Sequence, residues 1–581
     1  MTVSIGRLAP VAHLPLVLGV LRKLEVAQLI DTLILPNPAH VLSNGRGVEA
    51  LVLAILDGHH ALYKVGRRLD ERGMFPLLQP GLEMTSVHDT RLGQILDALF
   101  AANLHEVFGA IALKTLETYA LSTPWIHHDT TTISLYGAYA DMSDASTAPR
   151  PAYGHNKDGR GDLKQVLLSL SVSGDGGFPL RMGLRDGNTS DSVEVPQAIA
   201  ESLALGLDGF KGIVADSKAY SQRTLGLCLE QQVGLVTLVP RTCGMRQEVE
   251  AWGQQQSSLP LLLDKPARRR RDTPRRWYGR SLTREVEVEY GDGRIEVAPM
   301  RFVAVYSNQL AQHHEEAYGK AQGREAEALA EHVAQVQGRR FACEADAEAA
   351  IAELEGRGRG QRGRRPCPWH SHEVGYGVEA QWQRKTRRQR GRPRKGEAVE
   401  HERVFRLSVH TKPRRPPIET FGWLVLATTV SEHTCDDAEI VRAYRDQTTT
   451  VEAGFRWIKN PAAISPVWLE KRERIAALAM LTVVGLLVYS LIQRQVRQYL
   501  QQHQQLIPGN KGDTAIPTAA VVFELFTSVT QVQVDVDGVT IYRVHGWQAY
   551  HQLICQALEL DVCWYDRPMD QKNNRTGPRA P

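Results

Sequence analysis

No Cys-x-x-Cys pair occurs in these 581 residues, and the seven cysteines, Cys228, Cys243, Cys343, Cys367, Cys435, Cys555 and Cys563, are scattered and odd in number. That argues against a disulfide framework and a structural zinc ribbon, and for a reducing compartment. Cys367, His370 and His372 stand close together, but no fourth ligand is evident, so zinc is not expected there. A signal-peptide layout is also missing: Pro10, His13 and Pro15 interrupt the first apolar run, and Arg22 and Lys23 follow it. One stretch alone, Ile475 to Ile492, approaches membrane-spanning length. Thr482, Gly485, Tyr489 and Ser490 break it, and it continues into the polar Gln493 to Gln505, so it reads as a buried central helix. No membrane partner is expected.

Net charge is nearly absent too, at +4, but its distribution is uneven. Lys265, Arg268 to Arg271, Arg275, Arg276 and Arg280 form one basic run, and a second extends from Arg357 to Lys395. Trp277, Tyr278, Trp369 and Trp382 are interleaved with them. Cations that displace condensed counterions, beside aromatics that stack, suit a phosphate backbone; a solubilising loop has the same composition.

A chain this long divides into several domains. Residues 1–118 carry helical spacing and form a helical N-terminal domain, with a role in DNA binding or dimerisation. From Pro124 the period changes. Trp125 to Tyr136, Val166 to Val172 and Leu180 to Leu184 read as strands. A helix over Val193 to Leu205 follows, then a strand Gly212 to Ala215 ending on Asp216, a helix Ser221 to Gln232 and a strand Gly234 to Val239. Three antiparallel strands, a helix and a strand with an acid at its end is the order of an α/β ribonuclease H-like catalytic core, here over residues 119–240. Residues 241–418 interrupt it as a large α+β insertion domain holding both basic runs. The core resumes over 419–504, and 505–581 form a small C-terminal region with a strand pair across Asp537-Gly538 and a disordered tail.

Tyr444 to Lys459 reads as one helix with Thr434 placed to cap it and Asp437 three residues on. At about 100° per residue, Glu452, Arg456 and Lys459 share a face. In isolation an ion-paired solvated face reads the same way. Two distant acids change the weighing: Asp129 within the first core strand, where burial of an acid is costly, and Asp216 at the end of another, where the alternative is a helix cap. Acids converging at a sheet edge need a bridging cation, and hard oxygen ligands select Mg²⁺ or Mn²⁺. Two such ions about 3.5–4 Å apart activate a water or a 3′-hydroxyl against a phosphodiester. His127 and His128 are expected to pack rather than ligate.

Several motifs then carry a resemblance. Asp-Thr-Thr at 129–131, Gly-His-Asn-Lys-Asp at 154–158, Asp-Leu-Lys-Gln at 162–165, Gly-Asn-Thr-Ser-Asp at 187–191, Val-Ala-Asp-Ser at 214–217 and Val-Glu-Ala-Gly-Phe-Arg-Trp-Ile-Lys-Asn-Pro at 451–461 resemble DDE transposases of bacterial insertion sequences. The branch is that with a Tyr-Arg-Glu-Lys signature and an insertion between the second and third acids. The resemblance implies that Asp129, Asp216 and Glu452 are the catalytic and metal-binding triad, with Mg²⁺ or Mn²⁺ as two ions. It also implies that Tyr444, Arg445, Arg456, Lys459 and Lys164 hold DNA. Gln447 stands where the signature has Arg, and Glu452 comes one residue late, which would turn Tyr444 about 100° from Glu452 on an ideal helix. Arg390, Arg392 and Arg394, within Arg-Gly-Arg-Pro-Arg-Lys, match an element that inserts into narrow minor grooves. The implied partners are double-stranded DNA, as terminal inverted repeats and target, and a second copy or more of the chain; the implied location is the cytoplasm, on the bacterial nucleoid. A non-catalytic transposase-derived regulator and a ribonuclease H-like nuclease that cuts without joining remain as rivals.

Overall fold

The computed structural model describes residues 3–59, 61–137, 139, 146–203, 206–207, 209–266, 273–355, 369, 371–385, 398, 400–414, 418–459, 469–537, 539–561 and 565. The fold is mixed α/β, in two compact units. One consists of residues 1–243, 281–303 and 426–581, the other of 244–280 and 304–425.

The first unit is built on a mixed sheet. Six of its strands are β1 (Trp125–Leu135), β2 (Lys164–Ser173), β3 (Pro179–Asp186), β4 (Gly212–Ala215), β5 (Gly234–Leu238) and β6 (Trp423–Thr428). Their spatial order is β3-β2-β1-β4-β5-β6. β1, β2 and β3 form an antiparallel meander, β4 and β5 run parallel to β1, and β6 pairs antiparallel with β5 through Leu426–Thr428. β-Branched residues dominate the middle of β1, from Thr130 to Ile133, and hold it extended. Helices α1 (Asp191–Leu203) and α2 (Gln222–Glu230) supply the crossovers on either side of β4.

Four segments beyond β6 complete this unit: helix α3 (Asp437–Asp446), a 3₁₀ turn Gln447–Thr449, helix α4 (Val451–Ile458) and helix α5 (Arg472–Gln502). α5 is apolar on nearly every side, and 94% of its most apolar 18-residue window is buried. It is the one single helix among the described residues long and apolar enough to span a bilayer. Its residues join the N-terminal helices, the inner face of β1–β3 and α4 in one hydrophobic core. Within the N-terminal helices, Glu49 is fully buried between Arg22 (2.9 Å) and Arg46 (2.8 Å).

Two local expectations for this unit are corrected. Residues Val3–Ala9 are a strand rather than helix; they pair antiparallel with Thr530–Val536, which pairs in turn with Val539–His545. The cap of α3 is Asp436, which accepts from the Glu439 N–H at 2.7 Å, rather than Thr434.

In the second unit, helix Asn308–Gln337 is largely exposed, with Leu329 and Val336 buried on it. A three-stranded sheet places His401–Pro413 between Arg340–Phe341 and His372–Arg384. Phe405 and Leu407 pack there with Val336, Ala347 and Ala350. The strand His372–Arg384 escapes sequence reading because Gly375 and Gly377 break its apolar pattern and Arg384 merges into a basic run.

Candidate active site

Asp129 sits mid-strand on β1. Side chains alternate along a strand, so it shares a face with its cross-strand neighbours Leu170 and Met182. Those two belong to the core cluster that also contains Val451 and Phe455 of α4. On the other side, His127 is level with Val214 in the parallel pairing of β1 and β4. Asp129 and Asp216 each lie two residues further along, on strands about 5 Å apart.

Asp216 follows the last residue of β4. Thr237 of β5 donates its hydroxyl to the Asp216 carbonyl at 2.6 Å, fixing the strand end. Asp216 Oδ1 accepts from the Lys218 N–H at 3.0 Å and caps the short 3₁₀ turn Ser217–Ala219. The helix beyond has its own cap, Ser221, whose Oγ accepts from Thr224 N–H, so α2 does not need Asp216.

Glu452 is exposed in the first turn of α4. The expected single helix from Tyr444 to Lys459 is in fact two helices separated by the 3₁₀ turn, with Thr450 at φ −107° and ψ −93° between them. The cause is local. Thr449 and Thr450 both donate their hydroxyls to the Asp446 carbonyl, at 3.0 and 2.8 Å, which competes with continuation of the helical ladder. Gln447 is buried and reaches the His128 carbonyl of β1 at 3.5 Å. The surplus residue is taken up in this bend, so the rotation expected of one ideal helix does not apply: Tyr444 and Glu452 lie on different helices.

The turn between β2 and β3 packs against this bend. Gly177 has φ +65°, and a Cβ there would lie 3.1 Å from the Thr450 Cα. Asp175 of the same turn holds Arg494 of α5 through two hydrogen bonds, of 2.9 and 2.5 Å.

Burial, above all, pushes the Asp129 carboxyl up to about 6. Lys157 and the Thr130 N–H oppose that rise, while the charges of Asp216 and Glu452 add to it. Three acids from a mid-strand, a strand end and a distant helix thus act on one another. Their side chains do not close around a point: among the described residues no three His, Cys, Asp or Glu groups stand close enough together to hold a metal ion. The chemistry of the donor set nonetheless fits a hard divalent cation, since three carboxylates whose charges disfavour one another, one of them partly buried, favour added positive charge.

Lys157 partly supplies that charge. Its Nζ stands 3.8 Å from Asp129 Oδ1 and donates to the Thr130 carbonyl (2.5 Å) and hydroxyl (2.6 Å). Its neighbour Asp158 pairs with Lys459 at the end of α4 at 2.5 Å. The loop carrying Gly-His-Asn-Lys-Asp is therefore tied to β1 through one residue and to the Glu452 helix through the next. Sequence reading passed over Lys157 and Asp158 as site residues; the signal available was the quoted motif itself.

The remaining candidates fall as follows. Arg456 donates to the Thr448 carbonyl at 3.5 Å. Tyr444 and Arg445 are partly buried at the end of α3. Lys164 opens β2, donates to the Tyr139 carbonyl at 2.9 Å and stands 6.0 Å from the Tyr153 ring. Arg390, Arg392 and Arg394 lie outside the described residues. His127 is buried and held neutral, its pKa lowered to about 4 by burial, and His128 Nδ1 lies 3.1 Å from Ser171 Oγ.

A family model described as a domain of unknown function, DUF4277, matches residues 7–113. No curated protein matches the chain. Among solved structures, a chain of a piggyBac transposase synaptic complex with hairpin DNA is 11% identical over 49% of this chain and 60% of that one, with a TM-score of 0.23. At that score the likeness carries no weight for fold or function, and the match spans less than two thirds of the other chain.

Proposed function

We propose that this protein is a transposase of an insertion sequence, which binds the ends of its element and carries out metal-dependent phosphodiester cleavage and strand transfer. The observation that carries the reading is the parallel register of β1 and β4, which sets Asp129 and Asp216 level on neighbouring strands, with the Asp129 carboxyl raised to about 6 chiefly by burial and, to a lesser degree, by Asp216 and Glu452. The strand order β3-β2-β1-β4-β5, with an acid on β1 and another at the end of β4, supports a ribonuclease H-like core.

Asp129, Asp216 and Glu452 would hold Mg²⁺ or Mn²⁺, as two ions. Bound there, the ions supply Lewis acidity to lower the pKa of an attacking hydroxyl and stabilise a leaving oxygen. The chain's own groups do the rest. Lys157 neutralises Asp129 until the site is loaded, and the Lys459–Asp158 pair holds α4 against the loop. Tyr444, Arg445, Arg456, Lys459 and Lys164 face DNA phosphates, and Arg390, Arg392 and Arg394 bind duplex DNA. In cleavage a water oxygen bonds to phosphorus as the bond to the 3′ oxygen breaks, leaving a 3′-hydroxyl. In transfer that hydroxyl bonds to a target phosphorus and displaces the target's 3′ oxygen. The working form is a homodimer or larger in its DNA complex, in the bacterial cytoplasm on the nucleoid.

The test is cleavage and strand transfer with Mg²⁺ on terminal-repeat DNA. Asp129→Asn, Asp216→Asn and Glu452→Gln should each abolish both steps while leaving DNA binding in place. Binding without cleavage by the unaltered protein would mark a regulator, and cleavage without joining a nuclease.

A further inference from the structure

The second unit's two long strands, His372–Arg384 and His401–Pro413, pair antiparallel over their whole length, from His372 opposite Pro413 to Arg384 opposite His401. The core beneath them is shorter than the ribbon. Phe405 and Leu407 are buried, but residues 400–403 and, on the other strand, 379–382, 384 and 385 are exposed. One end of the ribbon therefore stands clear of its own core, at the side where residues 386–399 join the two strands.

On one face of that end, Trp382 lies opposite Arg403 and Arg384 opposite His401. Trp382 is 71% exposed. An indole left open to water gains little for the fold, and aromatic rings beside arginines are the groups that stack on and neutralise nucleic acid. The Arg403 guanidinium lies 5.1 Å from the Phe405 ring centre, which props it on that face. Two acids lie at this strand end: Glu400 is paired with Lys385 at 3.0 Å, and Glu402, opposite Gln383, stands on the other face. The sequence joining the strands adds Arg387, Arg388, Arg390, Arg392, Arg394 and Lys395 against Glu397, so the joining stretch carries a net positive charge.

We infer that this ribbon end is a docking arm for duplex DNA, with Trp382, Arg384 and Arg403 as its contact face. The choice of DNA as partner rests on the transposase reading. The choice of duplex rests on shape, because a two-stranded ribbon is of a size to enter a major groove about 12 Å wide. Arg384 and Arg403 meet backbone phosphates, and the Trp382 ring lies against sugar or base edges.

The test uses the full-length protein and measures the dissociation constant for terminal-repeat duplex and for its single strands across a salt series. Trp382→Ala should weaken duplex binding about 5- to 10-fold and Trp382→Phe much less. Arg384→Ala with Arg403→Ala should lower the salt slope by about 2. All three side chains are exposed, so the melting temperature should not move. Unchanged affinity and slope in these variants, in a protein that binds and cuts DNA, overturns the arm and leaves the transposase reading standing. Tighter binding to single strands than to duplex, lost with Trp382, overturns the duplex assignment. No DNA affinity in the unaltered protein overturns both readings.

Discussion

Thr450 crowds Gly177: a Cβ there would stand 3.1 Å from its Cα. The pair ties the turn between two sheet strands to the bend from which the Glu452 helix starts. Gly177→Ala also places a Cβ at φ +65°, which costs about 1–2 kcal/mol in the left-handed region. The expected result is a melting temperature lower by several degrees and a fall in Mg²⁺-dependent cleavage of tenfold or more. Normal cleavage by a destabilised variant would show that the turn does not position Glu452.

Asp129 is expected to trade stability for function. Its carboxyl is raised to about 6 from an ordinary 3.8, so its contribution to stability is complete below pH 3.8 and is lost as pH rises through 6. At pH 7.5 without metal, the ionised group costs on the order of 2–3 kcal/mol. Asp129→Asn should then be the more stable protein at pH 7.5, with the difference shrinking towards pH 4, and should be inactive. Chemical denaturation of both proteins across that range measures the gap; a gap independent of pH would refute the assignment.

On the proposed function, Lys157, 3.8 Å from Asp129, and a divalent cation would compete for the same carboxylate. Lys157→Met should lower the metal-free melting temperature, and added Mg²⁺ should raise it more than in the unaltered protein. Calorimetric Mg²⁺ affinity in the variant should be several-fold tighter, because the competing ammonium is gone. Weaker Mg²⁺ binding in Lys157→Met would mean that the lysine helps build the metal site.

Glu49 carries the clearest stability prediction. It is fully buried with Arg22 and Arg46 paired to it, and removing one member of such a group leaves buried charge uncompensated. Glu49→Ala should cost about 3–5 kcal/mol, read by urea unfolding, whereas Glu71→Ala, which removes the pairs of the exposed Glu71 with Arg67 and Arg68, should cost under about 1 kcal/mol.

Much of the core could be read from residues alone, because its signals are local. The β-branched run around Asp129, the apolar strand ending at Asp216 and the all-round apolar helix α5 each state their own environment. What escaped reading depended on partners far away in sequence. Val3–Ala9 is a strand because Thr530–Val536 supplies its hydrogen bonds. Lys157 joins the candidate site because β1 places Asp129 and Thr130 beside it. The bend at Gln447–Thr450 lay between: the surplus residue was visible in the spacing, but its resolution needed the Asp446 carbonyl captured by two threonine hydroxyls.

The pairing of Val3–Ala9 with Thr530–Val536 also fixes an order of events during synthesis. The strand Val3–Ala9 leaves the ribosome more than five hundred residues ahead of its partner, so its open edge must be shielded or tolerated while the residues between them are made. The sheet that contains both strands can form only once Val536 has emerged. A chain arrested before residue 530 therefore exposes an unpaired strand with Ile5 and Leu8 on it, and a chaperone-bound or aggregated product is its expected fate.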